Sequence, residues 1–184
     1  MIREATPADI PQLVAAYDWL FAPPGTKPTH WDPAVAADRL TRVIPGPRTA
    51  VLVAADDDQL IAFCTLYLDI ESVRFGQRCW LEDFAVAPTQ RSNGLGTKLL
   101  AAAHQWAAQN GATHLELDSA NTRTDAHRFY NRHQPSPPST VFSWPLTERW
   151  PLTEQGPASS YPAGPPTFLP GQANLQANRH ANSG

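Results

Sequence analysis

The first part of the chain carries apolar residues at the spacing of an α-helix. Thr6-Pro7-Ala8-Asp9 is typical of a helix start, because Thr6 can accept a hydrogen bond from a free backbone N–H and proline suits the first helical position. Apolar side chains then recur every three or four positions through Ile10, Leu13 and Tyr17. We therefore expect one helix that stops before the prolines at 23 and 24, and a second from Asp32-Pro33 to the prolines at 45 and 47.

The middle of the chain alternates apolar runs with turns. Thr49–Ala55, Leu60–Ile70 and Cys79–Ala87 are rich in strand-forming residues. Asp56–Asp58 separates the first two runs, and the charged stretch Glu71–Gln77 separates the last two. Successive antiparallel strands joined by short turns are the simplest arrangement of such runs.

The pattern then returns to that of a helix. From Gly94 to Asn110 the apolar residues fall on one stripe, and Gly111 supplies a stop signal. Thr113–Asp118 predicts another strand, and Asp125–His133 predicts a short helix. A meander followed by strand, long helix, strand and short helix predicts an α/β (α+β) fold with a mixed central sheet flanked by helices.

The composition changes near residue 135. Ten of the 19 prolines lie between 135 and 184, although Val141–Trp144 could still form a last strand. We expect a folded domain over residues 1–146 and a flexible, proline-rich tail over 147–184. A docked tail that binds a partner is the alternative, because Trp150, Tyr161 and Phe168 are scattered through this segment.

Charge and composition exclude several classes of protein. The net charge of −3 and the absence of any basic run argue against a nucleic-acid binder. No apolar stretch approaches the roughly 20 residues that span a bilayer, and the first residues, Met1 to Glu4, do not have the pattern of a signal peptide, so none is expected. Cys64 and Cys79 are therefore expected as buried free thiols in a cytoplasmic protein. The six histidines lack metal-ligand spacing, so no metal is expected.

The loop after the third apolar run carries the most chemistry. A strand ends at Pro88, Arg91 follows in a loop, and Gly94 and Gly96 open the long helix. Glycines let a ligand approach the backbone, and a helix N-terminus offers unpaired N–H groups to an anion. The loop therefore predicts a pyrophosphate site, whose residues are Arg91, Ser92, Asn93, Gly94, Leu95, Gly96 and Thr97.

Three motifs of the chain resemble those of the GNAT superfamily of N-acyltransferases, in the same order and spacing. In chain order they are Leu81–Pro88, Arg91-x-x-Gly94-x-Gly96 and Ala126–Tyr130, which ends in a Phe-Tyr pair. The sequence departs from the family pattern in two places. Gln134-Pro135 stands where the family usually has Gly-Phe, and Arg123 stands where many members carry an asparagine, with Asn121 two residues earlier.

The resemblance implies a mostly antiparallel sheet that binds acyl-CoA at a splay between central strands. By similarity, backbone groups of Phe84, Ala85 and Val86 would bind the pantetheine arm and the thioester carbonyl, and Asn121 would also contact the cofactor. Tyr130 would protonate the departing thiolate, although a packing function for this aromatic residue is the alternative. Acetyl-CoA is the co-substrate that the resemblance implies, with no metal.

Transfer of an acyl group to an amine also needs a base, because amines with a pKa near 10 are mostly protonated at neutral pH. Glu82 and Asp83 are equal candidates, and Glu116 ranks behind them. Neighbours on a strand point to opposite faces, so only one of the first two is expected to face the substrate.

The sequence thus predicts a cytoplasmic N-acetyltransferase that acts on a primary amine of a small molecule or peptide. Neither nucleic acid nor a membrane is expected as a partner, and a homodimer is left open. The alternative is a non-catalytic acyl-CoA-binding module with a sensory or regulatory function.

Overall fold

A computed structural model describes residues 1–143, and the folded unit spans Met1–Thr140. Its strands are β1 (Ile2–Glu4), β2 (Thr49–Asp56), β3 (Gln59–Ser72), β4 (Gly76–Val86) and β5 (His114–Glu116). Its helices are α1 (Ile10–Ala16), α2 (Asp18–Phe21), α3 (Pro33–Val43), α4 (Leu95–Gln109) and α5 (Thr124–Asn131). The proposed last strand is absent from residues 141–143. Trp144 and the predicted tail lie outside the described residues.

The five strands form one sheet in the order β1-β2-β3-β4-β5. All neighbouring pairs are antiparallel except β4 and β5, which run parallel. The helix α4 provides the crossover that a parallel connection needs. The prediction of a mixed, mostly antiparallel sheet flanked by helices is therefore confirmed.

The hairpin between β3 and β4 is longer than the charge pattern predicted. The strands pair as far as Ser72 and Gly76, so the turn is much shorter than Glu71–Gln77. The Ser72 hydroxyl accepts hydrogen bonds from the backbone N–H groups of Arg74 and Phe75, which closes the turn locally. The charged residues near the tip belong to exposed strand ends, which pattern alone does not distinguish from a loop.

The predicted first helix is divided into shorter segments. A 3-10 turn covers Pro7–Asp9, α1 begins at Ile10, and Tyr17 separates α1 from α2. Pro11 has no N–H to donate to the carbonyl of Pro7, so a continuous α-helix from Pro7 would lack that bond.

Each face of the sheet has its own core. On one face, α4 contributes Leu99 and Ala103 to a cluster with Leu66 and Leu81. On the other face, Leu13 of α1 and Leu40 of α3 pack with Val53, Phe63 and Ala85. The two cysteines are buried free thiols, as predicted. Burial raises the pKa of Cys64 to about 12 and that of Cys79 to about 11, so neither thiol is reactive near neutral pH.

Candidate active site

The strands β4 and β5 separate at the centre of the sheet. Their parallel pairing runs from Arg78 and His114 to Trp80 and Glu116 and extends no further. Beyond Trp80, β4 continues to Val86 and pairs only with β3. One edge of this half of β4 is therefore open, which is the predicted splay.

The open edge offers backbone groups at alternate residues. The carbonyl of Val86 points away from β3, since it accepts a hydrogen bond from Nε of Arg91 at 3.3 Å. By the alternation of an antiparallel ladder, the N–H and C=O of Phe84 face the same open edge. Ala85 pairs with Phe63 across the ladder, and its side chain is buried. The structure therefore does not support Ala85 as a donor of free backbone groups, because its bonding groups face β3.

The glycine loop lies at the end of this open edge. Gly94 precedes α4 with a φ of +76°, and a Cβ atom there would meet no heavy atom within 4 Å. The first helical bond of α4 runs from the N–H of Lys98 to the carbonyl of Gly94 at 3.1 Å. The N–H groups of Leu95, Gly96 and Thr97 precede it and have no helical acceptor.

The remaining loop residues surround these free N–H groups. Arg91, Ser92 and Asn93 are exposed, and Ser92 adopts a φ of +67°. A non-glycine residue in this conformation is strained, and such strain is concentrated at functional sites. Free N–H groups, an open approach and an arginine side chain together fit an anionic group such as a pyrophosphate.

Gly96 has a different function from Gly94. A Cβ atom at Gly96 would lie 3.3 Å from Cε2 of Phe129 and 3.8 Å from Cγ2 of Val86. The ring of Phe129 stacks on that of Phe84 with centroids 5.8 Å apart. Gly96 therefore lets α5 pack closely against the start of α4, which brings Tyr130 to the splay.

A cavity of about 1340 Å³ lies between the splay and the first three helices. Glu82, Asp83 and Phe84 of β4 line it together with Tyr130 of α5. Aromatic residues Tyr17, Phe21 and Trp31 form another part of the wall, and their rings are in mutual contact. Arg123, which stands where many family members carry an asparagine, lines this cavity. The predicted Asn121 is exposed in the turn before α5 and is not part of the wall.

The prediction that Glu82 and Asp83 point to opposite faces is wrong. Thr65 pairs with Asp83 and Leu66 pairs with Leu81, so Glu82 is an extra residue in β4. Such a bulge changes the alternation of side chains. Leu81 belongs to the core beside α4, whereas Asp83 reaches Tyr17 on the opposite face, and both carboxylates line the cavity.

The two carboxylates differ in their hydrogen bonds. Oδ2 of Asp83 accepts bonds from the hydroxyls of Tyr17 at 2.7 Å and Thr65 at 2.8 Å. Burial raises the pKa of Tyr17, and the negative charge of Asp83 raises it further, so this hydroxyl stays a donor. Asp83 is therefore held in place by two donors, and one of its oxygens already has its partners.

Glu82 is exposed to the cavity instead. Partial burial raises the pKa of Glu82, and the negative charges of Asp83 and Asp118 raise it further, while a hydrogen bond from Trp80 lowers it. A carboxylate with a raised pKa is a better proton acceptor near neutral pH than an ordinary one. Glu116 lies elsewhere, where its carboxylate is 3.4 Å from Arg78 in an ion pair and does not line the cavity.

Tyr130 is half-buried at the same cavity. Its ring makes edge contacts with Phe84 and Phe129, at centroid distances of 6.3 and 5.3 Å. Burial raises the pKa of Tyr130 to about 12, although the positive charge of Arg123 partly opposes the shift. The hydroxyl is therefore protonated at neutral pH and can donate a proton.

Sequence reasoning missed several side chains of this site. Tyr17 was assigned only to an apolar stripe, and its partner Asp83 is 66 positions away. Arg123 donates from Nη2 to the carbonyl of Leu20 at 2.7 Å and so ties α2 to the start of α5. Asp118 ends the strand predicted over Thr113–Asp118, and its place at the cavity follows only from the sheet order.

Comparison with known proteins agrees with this geometry. Residues 13–134 match the Acetyltransferase (GNAT) family. The chain belongs to the GNAT family. All three motifs of the sequence analysis, Leu81–Pro88, the glycine loop and Ala126–Tyr130, lie inside the matched range.

Curated GNAT relatives include an uncharacterized N-acetyltransferase, YhfO, of Bacillus subtilis (strain 168). It is 33% identical over 84 residues, which cover 46% of this chain and 56% of the relative. The streptothricin acetyltransferase of Streptomyces lavendulae is 36% identical over 85 residues, which cover 46% of this chain and 42% of that enzyme. The chain thus spans about half the length of the curated relatives it matches.

Solved GNAT-like structures extend the likeness of the fold to most of the chain. The aminoglycoside N-acetyltransferase AAC(6′)-Iy in complex with CoA has a TM-score of 0.69 at 17% identity, covering 80% of this chain and 94% of that one. A transcriptional regulator from Bacillus halodurans C-125 has a TM-score of 0.67 at 18% identity, covering 79% and 99%. At these identities the likeness shows the fold alone.

Proposed function

We propose that the protein is an N-acetyltransferase that transfers the acetyl group of acetyl-CoA to a primary amine by direct attack. The observation that carries this proposal is that Glu82 and Tyr130 line one cavity at the open edge of β4. A proton acceptor and a proton donor are thus next to the backbone groups expected to hold a thioester.

The loop residues fit the cofactor. The free N–H groups at the start of α4 and the guanidinium of Arg91 would bind the pyrophosphate, and the open edge at Phe84 and Val86 would bind the pantetheine arm. Bound acetyl-CoA supplies an acetyl group activated as a thioester. The N–H of Phe84 would donate to the thioester carbonyl, which stabilises the negative charge that develops on its oxygen.

In this proposal, Glu82 and Tyr130 each carry out one of the two proton transfers that the reaction needs. Glu82 would accept a proton from the amine, because its carboxylate is exposed to the cavity and its pKa is raised. Tyr130 would donate its hydroxyl proton to the sulfur as the carbon–sulfur bond breaks. Asp83 would position β4, since its carboxylate is already bound by Tyr17 and Thr65.

The acceptor we propose is a small molecule that carries a primary amine. Four carboxylates (Asp32, Glu82, Asp83 and Asp118) and three arginines (Arg39, Arg48 and Arg123) line this cavity. Asp83 and Asp118 interact with Glu82 by charge, so the negative charge is concentrated around Glu82, where it would attract an ammonium group. The names of the relatives agree with such an acceptor, since one relative acts on streptothricin and a protein of the same fold is an aminoglycoside N-acetyltransferase. A cytoplasmic location and a homodimer stay predictions.

The alternative of a non-catalytic acyl-CoA-binding module is not favoured. Such a module needs the loop and the splay but has no use for a carboxylate and a tyrosine at the same cavity. A screen of primary amines with acetyl-CoA, read out as free thiol, tests the choice. Amine-dependent thiol release supports the enzyme, whereas tight CoA binding without turnover on any amine contradicts it.

A further inference from the structure

The charged side chains of the cavity at the splay are divided between different parts of its wall. Glu82 and Asp118 both line it, and the negative charges of Asp83 and Asp118 raise the pKa of Glu82. In the described part of the chain, no arginine is among the groups that shift this pKa. The positive charges of the cavity therefore lie elsewhere along the wall.

The helix α3 supplies one of the cavity arginines. Five residues of α3 line the cavity at the spacing of one helix face, and they are Val35, Ala36, Arg39, Leu40 and Val43. The other four are apolar, so Arg39 is the one charged residue on this face of α3, a helix that the structure describes in full. An arginine within an apolar stripe along a cavity can offer its guanidinium to a ligand.

The order of the strands separates Arg39 from Glu82. Leu40, the residue after Arg39, packs in the same core as Val51 and Val53 of β2. Strand β3 lies between β2 and β4, so the backbones of β2 and β4 are about 10 Å apart. Arg39 and Glu82 line the cavity from these two places, so a small molecule can contact both.

Arg39 differs from the other two cavity arginines in having no acceptor. Nη2 of Arg48 donates to the carbonyl of Asp69 at 2.6 Å, and Nη2 of Arg123 donates to that of Leu20 at 2.7 Å. Within residues 1–143, no hydrogen bond or ion pair joins Arg39 to another residue. Its guanidinium keeps five N–H donors in a planar fork, a shape that matches a carboxylate.

The carboxylates near Arg39 in the chain already have partners. Asp32 accepts the N–H of Ala34 at 2.7 Å and so caps the start of α3. Asp38 pairs with Arg42 one turn further along the helix, outside the cavity. The positive charge of Arg39 is therefore not neutralised by its neighbours in this helix.

We propose that the amine acceptor also carries a carboxylate, which binds the guanidinium of Arg39. The inference rests on the proposed function, because it takes the amine to lie at Glu82. Paired N–H bonds from an arginine to a carboxylate add both binding energy and orientation, so they would hold the acceptor with its amine toward β4. A polycationic amine would instead place positive charge against Arg39. The acceptor is thus an amino acid or a similar zwitterion.

Acetyl transfer by the full chain to matched acids and amides tests this inference. Each amino acid from glycine to ε-aminocaproate is compared with its primary carboxamide, which has the same length and no negative charge. The amine of the amide is the less basic of the two, so a larger fraction of neutral amine cannot cause a preference for the acid. We expect kcat/KM for the best acid to exceed that for its amide by at least about tenfold.

Replacing Arg39 should remove this preference. Arg39→Gln should reduce the ratio to below about threefold, mainly by raising KM for the acid, because the lost contact is the same in the ground and transition states. The KM for the amide should change by less than about twofold. Arg39→Glu reverses the charge and should make the diamine of the same length a better acceptor than the acid.

Arg42→Gln is the matched control, because Arg42 lies on the same helix but outside the cavity. It should keep the ratio of the unchanged protein. Equal kcat/KM values for the acid and its amide would overturn the inference, as would an Arg39→Gln variant that loses both acceptors equally. In both cases thiol is still released, so the proposed function stands. Absence of thiol release with every amine would contradict the proposed function, and this inference with it.

Discussion

The hydroxyl of Tyr17 donates a hydrogen bond to Oδ2 of Asp83 at 2.7 Å. The same oxygen accepts a bond from Thr65, whose own hydroxyl oxygen accepts the N–H of Asp83 at 3.0 Å. These contacts tie the helical side of the cavity to β4 immediately after the bulge at Glu82. Asp83 is thus fixed in place directly beside the bulge residue Glu82, which lines the cavity.

Replacing Tyr130 with phenylalanine tests the proton donor. Tyr130→Phe keeps the ring contacts with Phe84 and Phe129 and removes only the hydroxyl. Acetyl-CoA affinity should stay the same, whereas turnover should fall by about 10²–10⁴-fold, the usual scale of general acid catalysis. Steady-state rates and calorimetry on the same preparation measure both quantities. Unchanged turnover would make Tyr130 a packing residue.

Gly94 and Gly111 are a matched pair for testing the pyrophosphate site. They lie at opposite ends of α4, adopt φ angles of +76° and +78°, and each has open space where a Cβ would lie. Leucine at either position should cost about 1–2 kcal/mol of stability, because L-residues disfavour this conformation. Only Gly94→Leu should also weaken CoA binding, by at least about tenfold. An equal effect of both variants on CoA affinity would contradict the assignment of the pyrophosphate site to the loop at Gly94.

Asp9 provides a test of stability against pH. Its carboxylate binds both terminal nitrogens of Arg3 at 2.8 Å and the N–H of Thr6 at 2.7 Å. The hydrogen bonds from Arg3 hold the pKa of Asp9 far below its ordinary value of 3.8. Because the folded pKa is lower than the unfolded one, the stabilisation is complete above the unfolded pKa and is lost as the pH falls below it.

Asp9→Ala should therefore lower the free energy of unfolding by about 2 kcal/mol at neutral pH. The difference from the unchanged protein should narrow as the pH falls below 3.8. Asp38→Ala is the control, since Asp38 and Arg42 form an exposed ion pair one turn apart that contributes about 0.5 kcal/mol or less. Urea unfolding over a pH series measures both. A constant difference at all pH values would contradict this account of Asp9.

Truncation after Leu146 tests the proposed domain boundary. Every residue of the two cores of the described part lies between Ile2 and Phe129. Removal of residues 147–184 should therefore leave the melting temperature within a few degrees. A collapse in soluble yield would show that the removed segment completes the fold.

Local patterns were sufficient to predict most elements of the fold. The apolar stripe of α4 and the runs of β2, β3 and β4 depend on neighbouring residues only, and the glycine loop is a local signal as well. The tip of the β3–β4 hairpin was misplaced because Ser72 closes it within the charged stretch. Gln134 adopts a φ of +54°, a left-handed conformation that favours glycine, at the position where the family usually has that residue.

The choice between Glu82 and Asp83 could not be made from the sequence. Strict alternation along β4 places the two on opposite faces, and the bulge that overturns this arises from pairing with Thr65 and Leu66 in another strand. One donor to Asp83 is Tyr17, which lies between α1 and α2 and is 66 positions away in the chain. Both facts depend on contacts between distant segments, which no local spacing encodes.

The most direct test of the account compares Glu82→Gln with Asp83→Asn in acetyl transfer to the best amine of the screen. An asparagine oxygen can still accept the bonds from Tyr17 and Thr65, so Asp83→Asn removes charge but keeps the contacts. As the proposed base, Glu82 accepts a proton only when it is ionised, so activity should fall as the pH drops through the pKa of Glu82. Asp83→Asn removes a negative charge next to Glu82, which lowers the pKa of Glu82. The acidic limb of the pH–rate profile should therefore move to lower pH.

We expect Glu82→Gln to lower turnover by about 10²–10⁴-fold and Asp83→Asn to stay within about tenfold of the unchanged protein. In the pH–rate profile of Asp83→Asn, the acidic limb should lie at lower pH than in that of the unchanged protein. The opposite result, with Asp83→Asn inactive and Glu82→Gln active, would make Asp83 the base and contradict the central claim.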